Sequence, residues 1–203
     1  MLQSSSKLKL YLASVLLAFV LLSPAVRAEI QPNNMFPRVV FVTSMGDITV
    51  ELNRDKAPLT VKNFLRYVEK AQYNQTIFHR IVPGFVVQGG GYDADFGDKP
   101  AFGEIPNESG NGLQNTYGTI AMAREREPHS ATRQFFFNVA DNESLNPSSR
   151  RWGYAVFGYV VAGEEVLQKL AAVESLPYHE PTGWQDVPAE PPVLIRIEVV
   201  PQA

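Results

Sequence analysis

Two stretches of the chain place chemically useful side chains in an apolar setting. The first runs from Phe78 to Gly90, reading Phe78-His79-Arg80-Ile81-Val82-Pro83-Gly84-Phe85-Val86-Val87-Gln88-Gly89-Gly90. The second is Gln134-Phe135-Phe136-Phe137-Asn138-Val139. Along a strand, side chains alternate between faces. Gln134 and Phe136 therefore share one face, and Phe135 and Phe137 the other. One face feeds the core, and the other offers an aromatic floor with a polar edge. Arg80 points opposite to His79 and Ile81. A guanidinium inside so apolar a run needs a polar partner or an open face, because burying an unpaired charge is very costly. Two readings stand on the residues alone. Arg80 is a strand arginine that snorkels or pairs with an acid, or it belongs to a site with a polar edge and an aromatic floor.

Other chemistries find little support. His79, His129 and His179 lie 50 residues apart each time, which is not metal-ligand spacing, and the chain has no cysteine. His79 reads as a buried, hydrogen-bonded histidine beside Arg80. There is no Gly-x-Ser-x-Gly elbow. Gly89-Gly90-Gly91 lacks the Lys-Ser/Thr of a phosphate loop, and reads as tight turning or close backbone approach. Asp93, Asp95 and Glu104 imitate part of a calcium loop, but Asp98 stands where glycine is required, so a solvated acidic loop is expected. Without cysteine the chain is neither a thiol oxidoreductase nor a cysteine hydrolase. No metal and no cofactor are expected.

The elements that must carry these residues are legible in the pattern. Val39 to Val42 and Ile48 to Leu52 form a hairpin about a turn at Ser44-Met45-Gly46-Asp47. Pro58 opens a helix whose apolar stripe is Val61, Phe64, Leu65 and Val68, with Lys62, Asn63, Arg66 and Glu69 on the other side. Short strands follow at Ile77 to Val82, Val86 to Gln88, Thr119 to Ala123, Gln134 to Val139 and Ala155 to Phe157. Gly, Pro and Asn clusters divide them. A second helix covers Glu164 to Val173 with Val166, Leu167 and Leu170 inward. A Pro-rich stretch, Pro177 to Pro192, leads to a last strand, Val193 to Val200. Many short strands with two helices predict a mainly β fold: a closed barrel capped by two α-helices, which removes sticky sheet edges.

Residues 1–28 read separately. Lys7 and Lys9 precede a 13-residue uncharged run, Leu10 to Leu22, then Ser23-Pro24 and the small-residue cleavage pattern Val26-Arg27-Ala28. This is a secretory signal, too short for a membrane span. Residues 29–37 read as a loose arm, and residues 38–203 as the single domain. Taking away the 3 basic residues of the signal leaves 15 Lys and Arg against 21 Asp and Glu, a formal charge of −6. An acidic domain without a basic run is a poor nucleic-acid binder. No stable membrane insertion is expected after signal cleavage.

Phe78 to Gly90 resembles the signature segment of the cyclophilins, Gln134-Phe135-Phe136 their second signature and Val156-Phe157-Gly158 their third. The likeness extends from about Val39 to Val200. The resemblance implies an eight-stranded antiparallel barrel capped by two helices, and a peptidyl-prolyl cis-trans isomerase without cofactor. It matches Arg80 to the catalytic arginine. It matches Phe85, Val86, Gln88, Ala123, Gln134, Phe136, Leu145 and Tyr154 to the substrate groove, and the backbone of Arg124 to the segment that hydrogen-bonds substrate. Tyr154-Ala155-Val156-Phe157-Gly158 and the signal resemble the exported, periplasmic bacterial branch. The implied partners are proline-containing unfolded or partly folded polypeptides, met by a monomer.

The chain departs from the family in places. Val86 stands for a common Met, Tyr154 for a common His, and Ser144 for a groove Trp that packs on cyclosporin in eukaryotic members. Trp152, in a loop of different length, is a potential substitute for that ring. Glu125 and Arg133 are expected to flank a secondary pocket and to narrow it by pairing across its mouth. The rival function is a cyclophilin-like module that holds proline segments without turnover.

Overall fold

The computed structural model describes residues 31–202. The expected signal segment lies outside the described residues. The described part of the arm is not loose. Gln31 Nε2 donates to the Val200 carbonyl at 2.6 Å, and the N–H groups of Leu52 and Arg54 donate to the carbonyls of Pro37 and Met35.

The hairpin forms as expected, from β1 (Arg38–Thr43) and β2 (Gly46–Leu52). Alternation sets its faces: Val39, Phe41, Ile48, Val50 and Leu52 are fully buried, with the intervening residues more exposed. Helix α1 (Pro58–Glu69) begins at Pro58 and buries Val61, Phe64, Leu65 and Val68. Asn63 is also on the buried side, where its Nδ2 donates to the Thr132 carbonyl. Ala57 supplies no side-chain cap to this helix. Instead Glu108, 48 residues beyond Thr60, accepts the N–H groups of Leu59 and Thr60 at 3.1 and 2.8 Å. A carboxylate there satisfies otherwise unpaired donors and opposes the helix dipole.

The expected strand over Ile77 to Val82 is two strands, β3 (Thr76–Ile77) and β4 (Arg80–Val82), broken at Phe78-His79. There follow β5 (Val86–Gly89), β6 (Thr119–Met122), β7 (Phe135–Asn138) and β8 (Val156–Ala162). Helix α2 (Glu164–Ala171) buries Val166, Leu167 and Leu170. The Pro-rich stretch holds an unexpected short pair, β9 (Ser175–Leu176) with β10 (Val187–Pro188), before β11 (Val193–Val199).

The main sheet has nine strands in the order β3-β11-β1-β2-β8-β6-β7-β5-β4. Its ladders are antiparallel and it is strongly curled, a half-barrel whose two end strands share no ladder, where the sequence predicts a closed eight-stranded barrel. The reason is local. Only Phe78 and His79 separate the end strands, β3 and β4, and β3 pairs with β11 while β4 pairs with β5. Isolated bonds bridge this seam, from Ile77 N–H to the Tyr92 carbonyl at 2.9 Å and from Gly90 N–H to the Ile77 carbonyl at 3.4 Å. The concave side holds the core, an edge-to-face aromatic cluster of Phe41, Phe64, Phe135 and Phe137. Phe135 and Phe137 thus take the core face, as alternation requires.

Candidate functional site

The residues that alternation excludes from the core form a row on the other face. Arg80 pairs with Gln88 across β4 and β5, Gln88 with Phe136 across β5 and β7, Phe136 with Ala121, and Ala121 with Val156. Val86, Ala121, Phe136 and Val156 form a second apolar cluster, separate from the core. Val82, Phe85, Leu113, Ala123, Leu145 and Tyr154 pack against it. All the apolar residues expected of a groove therefore meet on one surface. Phe85, Leu145 and Tyr154 stay partly open while Phe136 beneath is 4% exposed. Phe136 and Tyr154 meet edge to face at 5.5 Å.

The polar residues border this cluster. Gln88 Nε2 donates to Gln134 Oε1 at 2.8 Å. The Ala123 N–H donates to the Gln134 carbonyl at 2.9 Å, which fixes the start of the Arg124 segment. The Arg124 guanidinium lies over the Tyr154 ring at 4.6 Å and donates to the Trp152 and Gly153 carbonyls. Arg80, partly exposed, donates from Nη2 to Asp186 Oδ2 at 3.2 Å. Arg80 thus pairs with an acid, and it stands at the end of the cross-strand row that runs into the apolar cluster.

A set of buried asparagines holds the groove residues from behind. Asn142 Nδ2 donates to the Phe85 carbonyl at 2.8 Å and to Asn138 Oδ1 at 2.7 Å. Asn138 Nδ2 donates to Asn115 Oδ1 and Thr119 Oγ1, and Asn115 Nδ2 to the carbonyls of Leu145 and Tyr154. Buried polar groups of this kind are costly unless paired, so the network tethers the backbone at Phe85, Leu145 and Tyr154.

Two expectations are corrected. Arg133 does not face Glu125 across a pocket mouth; it is 2% exposed. Its guanidinium donates to the carbonyls of Gly90, Pro100 and Gln72, and lies near the rings of Tyr67 and Tyr73. Arg133 lies in a bend just before β7, and burial lowers its pKa. His79 is buried as expected, but its Nδ1 has no hydrogen-bond partner. Burial, then the adjacent Arg80 charge, lowers its pKa to about 4. The ring is neutral at pH 7 and packs edge-on against Tyr92 at 4.7 Å.

Among the expected acidic-loop residues, Asp93 Oδ1 accepts the N–H groups of Asp95 and Gly97, so it is spent on closing the turn. Gly90, at φ +85, does require close approach, since a Cβ there would meet the Phe135 ring at 2.7 Å. Sequence reasoning missed Val82, Ala121 and Val156, which alternation from Arg80, Ala123 and Tyr154 would have found. It also missed Leu113 and Asp186, for which no local pattern exists.

The sequence profile described as cyclophilin type peptidyl-prolyl cis-trans isomerase/CLD matches residues 38–199. A peptidyl-prolyl cis-trans isomerase of Acinetobacter baylyi is 47% identical over 77% of this chain and 82% of its own. Peptidyl-prolyl cis-trans isomerase B of Escherichia coli is 47% identical over 79% and 98%. The crystal structure of a Cryptosporidium parvum cyclophilin type isomerase in the presence of the dipeptide Ala-Pro superposes with a TM-score of 0.69. It has 25% identity, over 81% of this chain and 99% of that one.

Proposed function

The chain belongs to the cyclophilin-type peptidyl-prolyl cis-trans isomerases, and on that footing we propose that Arg80 and the apolar cluster beside it are where X–Pro bonds are turned. The observation that carries this reading is the register Arg80–Gln88–Phe136, which sets a guanidinium in line with the floor of an apolar groove. The Ala-Pro in the Cryptosporidium structure supports the choice of a proline-sized ligand.

Rotation about X–Pro breaks no covalent bond, so neither nucleophile nor cofactor is required. The barrier of about 18–20 kcal/mol arises from amide resonance. As the bond twists, the proline nitrogen pyramidalises and its lone pair becomes an acceptor. A held guanidinium donates to that nitrogen only in the twisted state, which is selective stabilisation of the transition state. Arginine suits the task because its charge does not titrate away and its donors form a rigid fork. Phe85, Phe136 and Leu145 hold the proline ring, with Val86, Ala123 and Tyr154 around them. Gln88 and Gln134 orient the polar edge, and the Arg124 backbone holds the substrate chain.

The same proposal covers setting and partners. Residues 1–28 act as a secretory signal, and the domain works as a periplasmic monomer on proline-containing unfolded chains. No helix among the described residues is long and apolar enough to cross a membrane. The test is isomerisation of a short X–Pro peptide, followed without a coupling protease. Acceleration at catalytic enzyme concentration supports turnover. Stoichiometric binding without acceleration would establish a proline-holding module instead.

A further inference from the structure

Residues 174–188 leave the sheet, make the β9–β10 pair and return beside β4. This excursion takes both backbone groups of Ile81. The Ile81 N–H donates to the Asp186 carbonyl at 2.9 Å, and Ser175 Oγ donates to the Ile81 carbonyl at 2.9 Å. The edge strand that bears Arg80 is therefore covered, which protects it from stray pairing. The same excursion sets Asp186 Oδ2 at 3.2 Å from Arg80 Nη2. Asp186 thus holds β4 at two points, through its carbonyl on Ile81 and its carboxylate on Arg80.

Asp186 sits at φ +59, a left-handed conformation that aspartate tolerates better than most residues. Its approach is fixed by Trp184, whose ring packs on Tyr92 at 4.6 Å and faces His79 at 6.0 Å. Among the described residues the Arg80 side chain has no other hydrogen-bond or ion-pair partner. Both side chains are more than a third exposed, 37% and 38%, so screening leaves the pair little effect on stability. What it does fix is the guanidinium: one end is held and the remaining N–H groups are left for substrate.

We propose that Asp186 is a positioning residue that orients Arg80 for transition-state hydrogen bonding. This rests on the reading of Arg80 given above. A long, open arginine samples many rotamers, and each unproductive one dilutes the reactive geometry. The pair narrows that set before substrate arrives.

The test uses the full domain with Asp186→Gly and Asp186→Asn. Glycine accepts the backbone without strain and removes the carboxylate. Asparagine tolerates the backbone and keeps an acceptor without charge. Asp186→Gly is expected to lower kcat about three- to tenfold with KM within about twofold, and Asp186→Asn to fall between it and the wild type. Relaxation of 15N at Arg80 Nε should report a more mobile guanidinium in Asp186→Gly, a signal that a merely structural role would leave unmoved. Wild-type kcat and an unchanged Arg80 signal in folded Asp186→Gly overturn the proposal. If Arg80→Ala is impaired in the same assay, that result leaves the role of Arg80 standing. A fully active Arg80→Ala overturns both.

Discussion

Gln88 and Gln134, 46 residues apart in sequence, are joined by a 2.8 Å hydrogen bond from the Gln88 amide to Gln134 Oε1. Gln88 stands between Arg80 and Phe136 in the cross-strand register, so this bond ties the cationic end of the groove to its aromatic floor. The space that Gln134 occupies depends on Gly91, where a Cβ would lie 2.6 Å from Gln134 Nε2.

Gly91→Ala should therefore displace the Gln134 side chain and loosen Gln88. Because a flexible side chain absorbs the clash, stability should fall by no more than about 1 kcal/mol. The value of kcat/KM should fall about three- to tenfold. Urea unfolding and peptide kinetics on the same preparation check this. Unchanged kinetics would show that Gln134 placement is immaterial.

Asn142→Ala removes the donor to the Phe85 carbonyl and to Asn138 Oδ1 in a site only 6% exposed. Leaving buried acceptors unpaired should cost about 1–3 kcal/mol. Phe85 loses its tether, so KM should rise more than kcat falls. Denaturant midpoints and steady-state kinetics separate the two effects.

His79 gives acid sensitivity of calculable sign. Its pKa falls from the ordinary 6.5 to about 4 on folding, chiefly by burial. The unfolded chain thus binds the proton more readily than the folded one. The stabilisation is fully present above pH 6.5 and is lost as pH falls from there toward 4. The loss should reach about 3 kcal/mol. In His79→Phe the stability curve should be flatter over that window by a comparable amount. Equilibrium unfolding at several pH values measures it, and parallel curves would show that His79 is not the group responsible.

Ser144 lies exposed beside Leu145, in a one-turn 3-10 helix, Glu143–Leu145, whose Ser144 carbonyl accepts from Arg151 Nη2. It supplies no aromatic ring, and Trp152 packs instead on His129 at 5.1 Å. Weak cyclosporin binding is expected, with affinity rising at least about tenfold in Ser144→Trp and turnover little changed. Calorimetric titration tests this, and tight wild-type binding would mean that Trp152 fills the role.

Much of this was legible in the sequence because it depends on local period. Alternation separated Phe135 and Phe137 from Gln134 and Phe136, the resemblance put the latter pair in the groove, and a 3.6-residue period found both helices. The misses share one physical origin, long-range partnership. Nothing local marks Glu108 as the cap of α1, Asp186 as the partner of Arg80, or the asparagine set behind Phe85. Arg133, expected at the mouth of a flanking pocket, is buried instead, because the backbone carbonyls of Gly90, Pro100 and Gln72 satisfy its guanidinium. The barrel was expected to close because its seam falls at Phe78-His79, inside a run that reads as one continuous strand.

The central claim is that Arg80 stabilises the twisted X–Pro bond. NMR exchange measurement of cis–trans interconversion in a short X–Pro peptide, with wild type, Arg80→Ala and Arg80→Lys at equal concentration, tests it most directly. Arg80→Ala should remain folded and lose at least about tenfold in kcat/KM, or about 1.4 kcal/mol of transition-state stabilisation. Arg80→Lys should also be impaired, because a point charge lacks the planar fork. Exchange by folded Arg80→Ala at the wild-type rate would contradict the account.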